Sequence, residues 1–229
     1  MKHLKQVKWI IALFFLSVNA QPLLAQSKAA DIFDKNVPIT WLGVDYSLTT
    51  FIGTPSYTEV GFSPWTVVKK TGEGVVTKDE FRDSYLPQWN QLFIDEQKKY
   101  NIAKATDRKS DAITYAITVC IDANKKLTKK EFFSNDPKDY HTKTEADVKN
   151  AVKNYDFQNT KGLGMMFFVE GMNRGTAEEG IWVTFVDIKT KTVLLTKYVE
   201  SKGQGSGFRN YWAKPMYVAL KEMDLKKWQ

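Results

Sequence analysis

Residues 163–169, Leu-Gly-Met-Met-Phe-Phe-Val, carry no polar side chain. A strand that alternates apolar and polar residues can leave one face to water, but a strand apolar at every position must be covered on both. The chain therefore has to supply a sheet with this segment inside it and helices to cover it. The residues that follow fit that demand. A turn is expected over 171–180, and then 181–188 and 192–200 read as strands joined by Lys189-Thr190-Lys191, an antiparallel hairpin. Gly203, Gly205 and Gly207 read as a flexible link. Residues 208–225 read as an amphipathic helix with Trp212, Met216, Ala219, Leu220 and Met223 on one stripe, kinked or started by Pro215.

The earlier chain supplies further parts. Residues 39–45 form a strand in which Ile39, Trp41, Gly43 and Asp45 alternate with Thr40, Leu42, Val44 and Tyr46. A loop rich in Gly, Pro and aromatic residues follows over 47–74, with Phe51, Tyr57, Phe62 and Trp65 and a short strand at 65–68. Thr77 to Glu80 is a helix start: the Thr hydroxyl can cap the Glu80 amide, and Val76 and Phe81 can close a hydrophobic staple. Pro87 should break or restart that helix near 85–87, after which it runs to about Tyr100 with Trp89, Phe93, Glu96 and Tyr100 on one stripe. Ile113, Tyr115, Ile117, Val119 and Ile121 are apolar at every second position, which predicts a half-buried strand. After a polar stretch, Thr144-x-x-Asp147 is a capping box opening a short helix with Val148, Ala151, Val152 and Tyr155 on one face. The order strand, helix, strand, helix, strand, strand, strand, helix argues for one α/β (α+β) sandwich with a mixed sheet of about five strands and helices packed on it. No internal repeat or low-complexity tract is present.

Residues 1–25 read as an address. Lys2, His3, Lys5 and Lys8 precede an apolar run over 9–18, and small residues offer cleavage after Ala20 or Ala25. This is the layout of a secretory signal peptide. A run of about ten residues is too short for a bilayer core that takes about 20 helical residues. No other long apolar run exists, so no transmembrane segment is expected, and residues 26–229 form a single globular domain in the periplasm or outside the cell. The only cysteine, Cys120, reads as a buried small hydrophobe and leaves no internal disulfide. The leader holds three of the lysines and no acid, so a formal charge of +7 falls to +4 without it. The lysine pairs at 69–70, 98–99, 125–126, 129–130 and 226–227 are spread along the chain among acids and read as a solvated surface, so no nucleic-acid partner is expected.

Catalytic motifs are few. His141 is the only histidine beyond the leader and sits in a polar stretch, as a surface histidine does. There is no His-Glu-x-x-His and no His/Cys cluster for a metal, and Asp122-x-Asn124 has Lys126 and Leu127 where a calcium loop needs an oxygen ligand and a glycine. Gly203-x-Gly205-x-Gly207 opens toward a helix, yet Phe208 occupies a place where the dinucleotide fingerprint needs glycine, so no cofactor is expected. Asp45 and Glu170 end two strands, where open α/β sheets present ligand sites, and a pair of acids is the minimum that glycoside hydrolysis requires. The bland alternative is that they hold turns or pair with Arg209. Arg209, Asn210, Tyr211 and Trp212 combine types favoured at interface centres, although Trp212 belongs to the helix's apolar stripe.

Two resemblances add to this reading. Asp187-x-x-Thr190-x-x-Val193-Leu194, on a hairpin between a buried strand and a final helix, is similar over 160–225 to envelope proteins of the curli-secretion-lipoprotein and TolB amino-terminal kind; this chain has Lys191 where the turn glycine is usual, and it lacks their lipid-attachment cysteine. Segments 39–45 (Ile-Thr-Trp-Leu-Gly-Val-Asp), 162–170 (Gly-Leu-Gly-Met-Met-Phe-Phe-Val-Glu) and 207–213 (Gly-Phe-Arg-Asn-Tyr-Trp-Ala) resemble a family of exported proteins from Bacteroidetes without an assigned activity. The resemblance implies an address and a fold but no catalytic residues. The expected function is a non-enzymatic envelope domain that associates with another envelope protein or binds a small ligand. The expected surface combines Phe51, Tyr57 and Trp65 with Gly203, Gly205, Gly207, Arg209 and Asn210; the alternative is a hydrolase acting on glycans through Asp45 and Glu170.

Overall fold

The computed structural model describes residues 26–56 and 74–228, so the leader, Tyr57, Phe62, Trp65 and the expected strand at 65–68 lie outside the described residues. In chain order the elements are β1 (Ile39–Asp45), β2 (Thr50–Ile52), α1 (Lys78–Glu80), a π-helical turn (Phe81–Tyr85), α2 (Leu86–Asp95), α3 (Ile102–Ala105), β3 (Ile113–Tyr115), α4 (Thr118–Lys125), β4 (Phe133–Ser134), α5 (Glu145–Lys153), β5 (Leu163–Asn173), β6 (Glu178–Asp187), β7 (Thr192–Lys202) and α6 (Phe208–Glu222). They form a single-domain α/β fold.

The apolar run lies at the middle of the sheet. Every residue of β5 is buried. On one side it pairs antiparallel with β6, which pairs antiparallel with β7. On the other side its first half pairs parallel with β1 and its last residues with β2. The short strands β3 and β4 flank β1 and β2, also in parallel. The sheet thus holds seven strands but is about five wide, because two columns are each split into two pieces. The split falls where β5 carries an extra residue: Val169 pairs with Ile181 and Gly171 with Gly180, leaving Glu170 unmatched. Thr49 bridges the gap, its hydroxyl donating to the Val169 carbonyl at 2.6 Å.

The free edge of β1 is closed by side chains. β3 pairs with it only over Ile39 to Trp41. Beyond that, Asn90 of α2 accepts from the Val44 amide at 2.7 Å and donates to the Val44 carbonyl at 2.9 Å. Asn124 of α4 donates to the same carbonyl at 2.9 Å and accepts from the Tyr46 amide at 3.0 Å. Two amides thus replace a missing strand, since buried backbone groups left unpaired are costly. Gly43 makes room for this with φ +111° in an irregular step of β1, and a Cβ there would lie 2.3 Å from Asn90 Oδ1.

Two cores form on opposite faces of the sheet. One is packed by α2, α3 and α6 and includes Trp41, Phe93, Phe167, Phe185, Phe208 and Trp212. The other is packed by α4 and α5 and includes Leu42, Cys120, Val148, Val152, Tyr155 and Phe168. These are called the α6 face and the α5 face below.

Several elements differ from the sequence reading. At Pro87 the helix restarts and does not break: a wider π turn over Phe81–Tyr85, with the Leu86 amide bonded to the Phe81 carbonyl five residues back, leads into α2 with Pro87 in its first turn. The helix stops at Asp95, and Tyr100 follows in a separate turn. The expected strand over 113–121 is only three residues long and becomes α4. Ile117 and Ile121 pack on the α6-face core while Val119 and Cys120 join the other, and Thr118, Asp122 and Lys125 make the solvent stripe. A helix covered on two sides is apolar at so many positions that period two fits by coincidence. The glycines at 171 and 180 lie inside strands, not in a turn, because aromatic rings cross the sheet there: a Cβ would lie 2.7 Å from the Tyr140 ring at Gly171 and 2.0 Å from the Tyr198 hydroxyl at Gly180. The caps at Thr77 and Thr144 form as read.

Candidate functional site

Asp45 and Glu170 come to the same face of the sheet, the α5 face, and both are 1% exposed. Asp45 closes β1, and its register partner Phe168 carries a ring 6.3 Å from that of Tyr155. Asp45 Oδ1 accepts from the Ser47 amide at 2.8 Å and from the Ser47 hydroxyl; Oδ2 accepts from the Tyr155 hydroxyl at 2.8 Å. The carboxylate therefore turns the chain out of β1 and ties the segment after α5 to it. Burial pushes its pKa up, while the bonds from Ser47 and Tyr155 and the charge of Lys130 pull it back. Burial and the neighbouring Asp45 also push the Cys120 thiol well above its usual range, with the Tyr155 hydroxyl 3.3 Å from Sγ. Cys120 is a buried core residue whose surroundings disfavour the thiolate that reactivity requires.

Glu170, the unmatched residue of β5, reaches the loop before α5. Its Oε1 accepts from the amides of Thr142 at 2.7 Å and Lys143 at 3.1 Å; Oε2 lies 3.4 Å from the Tyr198 hydroxyl and 3.7 Å from His141 Nδ1. His141 is half exposed, has φ +58° and lies with its ring 4.5 Å from that of Tyr198. Both oxygens of Asp45 and Oε1 of Glu170 hold loops to the sheet, while Glu170 Oε2 faces Tyr198 of β7 and His141. Among the described residues, neither acid lines any of the open depressions described below.

The glycine segment is shaped by close contacts. Gly203 donates to the Ala177 carbonyl at 2.7 Å, and a Cβ there would meet the Tyr211 ring at 2.3 Å. Gly205 and Gly207 have φ of +130° and +78°, and Gly207 leads directly into α6. Arg209 and Asn210 follow, with Arg209 Nη1 donating to Asn210 Oδ1 at 3.1 Å and Nη2 lying 3.8 Å from Glu96. Arg209 pairs with Glu96 and not with Asp45 or Glu170. Ser206, Arg209 and Asn210 line a depression of about 320 Å³ together with Tyr85 and Gln88. Phe51, by contrast, is fully buried among Phe81, Phe133, Phe208 and Trp212 and presents nothing to a partner. Tyr57 and Trp65 lie outside the described residues.

A feature that the sequence reading passed over lies between α3 and α6. Of the lysine pairs, Lys98-Lys99 and Lys226 meet there, with Lys35, Lys104 and Lys221. A depression of about 200 Å³ is walled by Lys98, Lys99, Lys104 and Lys221 around Tyr217 and Leu220. It shares Lys104, Lys221 and Met223 with a second of about 580 Å³ that adds Lys35 and Lys226. Only the fold reveals this, since residues 35, 98–104 and 221–226 are far apart in sequence. Among the described residues no group of three or more His, Cys, Asp or Glu side chains could hold a metal ion, and no helix is long and apolar enough to cross a membrane. No protein-family model, curated protein or solved structure matches the chain.

Proposed function

We propose that the chain is an exported, non-enzymatic domain that binds a ligand or an envelope partner. The observation that carries this reading is the full engagement of Asp45 and Glu170. A catalytic pair must keep one carboxyl free for the substrate and space between the two for the reacting atoms. Here both are consumed by backbone and tyrosine partners, and both are shut away from solvent. Lysines, Arg209 and Asn210 line the open depressions beside two acids, Asp107 and Asp224, and Asp224 is engaged by Lys227. The signal-like leader and the resemblance to exported proteins supply the address.

Native mass spectrometry of the full chain purified from its own envelope fraction tests this. A retained adduct or a defined hetero-complex is expected. A ligand-free monomer that hydrolyses a glycan, with turnover abolished in a folded Glu170→Gln variant, overturns it.

A further inference from the structure

We propose that the groove between α3 and α6 binds an acidic polysaccharide, the carboxylate or sulfate groups of the chain resting on its lysines; this deepens the reading of the protein as a binding domain and rests on it. Three ammonium groups approach one ring: Lys214 Nζ lies 4.9 Å, and Lys99 and Lys221 Nζ each 6.0 Å, from the Tyr217 centroid. Lys98 and Lys104 complete that wall, and Lys35 and Lys226 continue it. Among the described residues, Lys99 is the one of these with an ion pair, a 3.8 Å contact with Glu96. The acids lining the second depression are Asp107 and Asp224, and Asp224 is already engaged by Lys227 at 3.2 Å. Like charges gathered within a Debye length of about 10 Å repel, and an anion relieves the repulsion.

The rest of the groove selects among anions. No arginine lines either depression, whereas planar bidentate capture of phosphate and the reading of acidic or phosphorylated peptides favour arginine. Arg108 nearby is spent on structure, its guanidinium donating to the carbonyls of Asp31, Ile32, Asp34, Val37 and Thr106. Tyr217 is already approached by three lysines, and the half-buried Phe33 lines only the second depression, which leaves the two rings poorly placed as a stacking platform for nucleobases. The walls are concave, and the one large apolar side chain exposed among the described residues is Val75, outside the groove, so no anchor is set to enter a bilayer. Point charges around two adjoining depressions that share the apolar side chains of Ala105 and Met223, with Leu220 in the first, suit a linear chain of acidic sugars.

The test titrates the full chain with a polyuronate at low salt, with neutral dextran, polyglutamate and phosphatidylglycerol vesicles as competitors. Saturable polyuronate binding that weakens steeply with salt is expected. The double reversal Lys104→Glu, Lys221→Glu should cost at least tenfold in affinity. Lys153→Glu, Lys161→Glu, which changes net charge equally at exposed sites outside the groove, should change it less than twofold. Equal loss in both pairs, absence of saturable binding, or tighter binding of polyglutamate or vesicles overturns the assignment. An adduct retained in the native spectrum would then leave the binding-domain reading standing without this site.

Discussion

Asp45 and Glu179 are both fully buried acids on one sheet, and they face opposite sides of it. Asp45, on the α5 face, has a donor on each oxygen. Glu179 follows the alternation of Ile181, Val183 and Phe185 onto the α6 face, and among the described residues neither of its oxygens has a hydrogen-bond partner. Trp41 Nε1, the Tyr46 hydroxyl and Trp212 Nε1 in the same core also find no acceptor among the described residues. Burial alone pushes the Glu179 pKa well above the carboxylate range, and burial, with Glu179 beside it, raises that of Tyr46. The contrast separates two uses of a buried polar group. One fixes the backbone at the end of a strand, and the other sits in an aromatic core where burial disfavours its charged form.

The paired side should be the more fragile. Gly43→Ala, which drives a Cβ into Asn90 and demands a left-handed φ of a non-glycine residue, is expected to cost about 3 kcal/mol or more. Chemical denaturation measures it, and a loss below 1 kcal/mol would break the claim that Asn90 and Asn124 hold the β1 edge. Asp45→Ala orphans the Ser47 amide and the Tyr155 hydroxyl and should cost about 2–3 kcal/mol.

The unpaired side should respond with the opposite sign. A buried acid with a raised pKa contributes most below its unfolded value of about 4.3 and loses that contribution as pH rises toward the folded value. Glu179→Gln removes this dependence. Its stability relative to the parent should rise with pH above about 4.3, by up to about 1.4 kcal/mol per unit while the parent carboxyl stays protonated. Denaturation at pH 4 and pH 7 reads the difference, and a flat difference would mean that Glu179 is ionised in the core. Arg209→Ala calibrates both, since its 3.8 Å contact with Glu96 is partly exposed and should be worth less than about 0.5 kcal/mol.

This contrast also marks what the sequence could convey. The buried strand at 163–169, the hairpin, the caps at Thr77 and Thr144 and the final helix are legible because their periods and capping residues are local. α4 was read as a strand because packing between two cores makes a helix apolar at alternate positions too. β2 and β4 are too short to carry a period and exist through their neighbours. Asp45 and Glu170 were legible as acids ending strands, but their partners Tyr155, Thr142 and Lys143 are supplied by the fold. Glu179 gave no signal, since Glu178-Glu179 at the head of a strand looks like solvent-facing charge. The lysine groove was invisible for the same reason: its parts meet only when α6 packs beside α3.

The most direct measurement is calorimetry on Glu170→Ala, run beside polyuronate titration of the same variant. If Glu170 holds the loop before α5, loss of the acceptor for the Thr142 and Lys143 amides lowers stability by about 2 kcal/mol, and the groove on the other face binds as before. A variant that melts with the parent yet loses binding or a hydrolytic activity would contradict the account, placing Glu170 in the function and not in the fold.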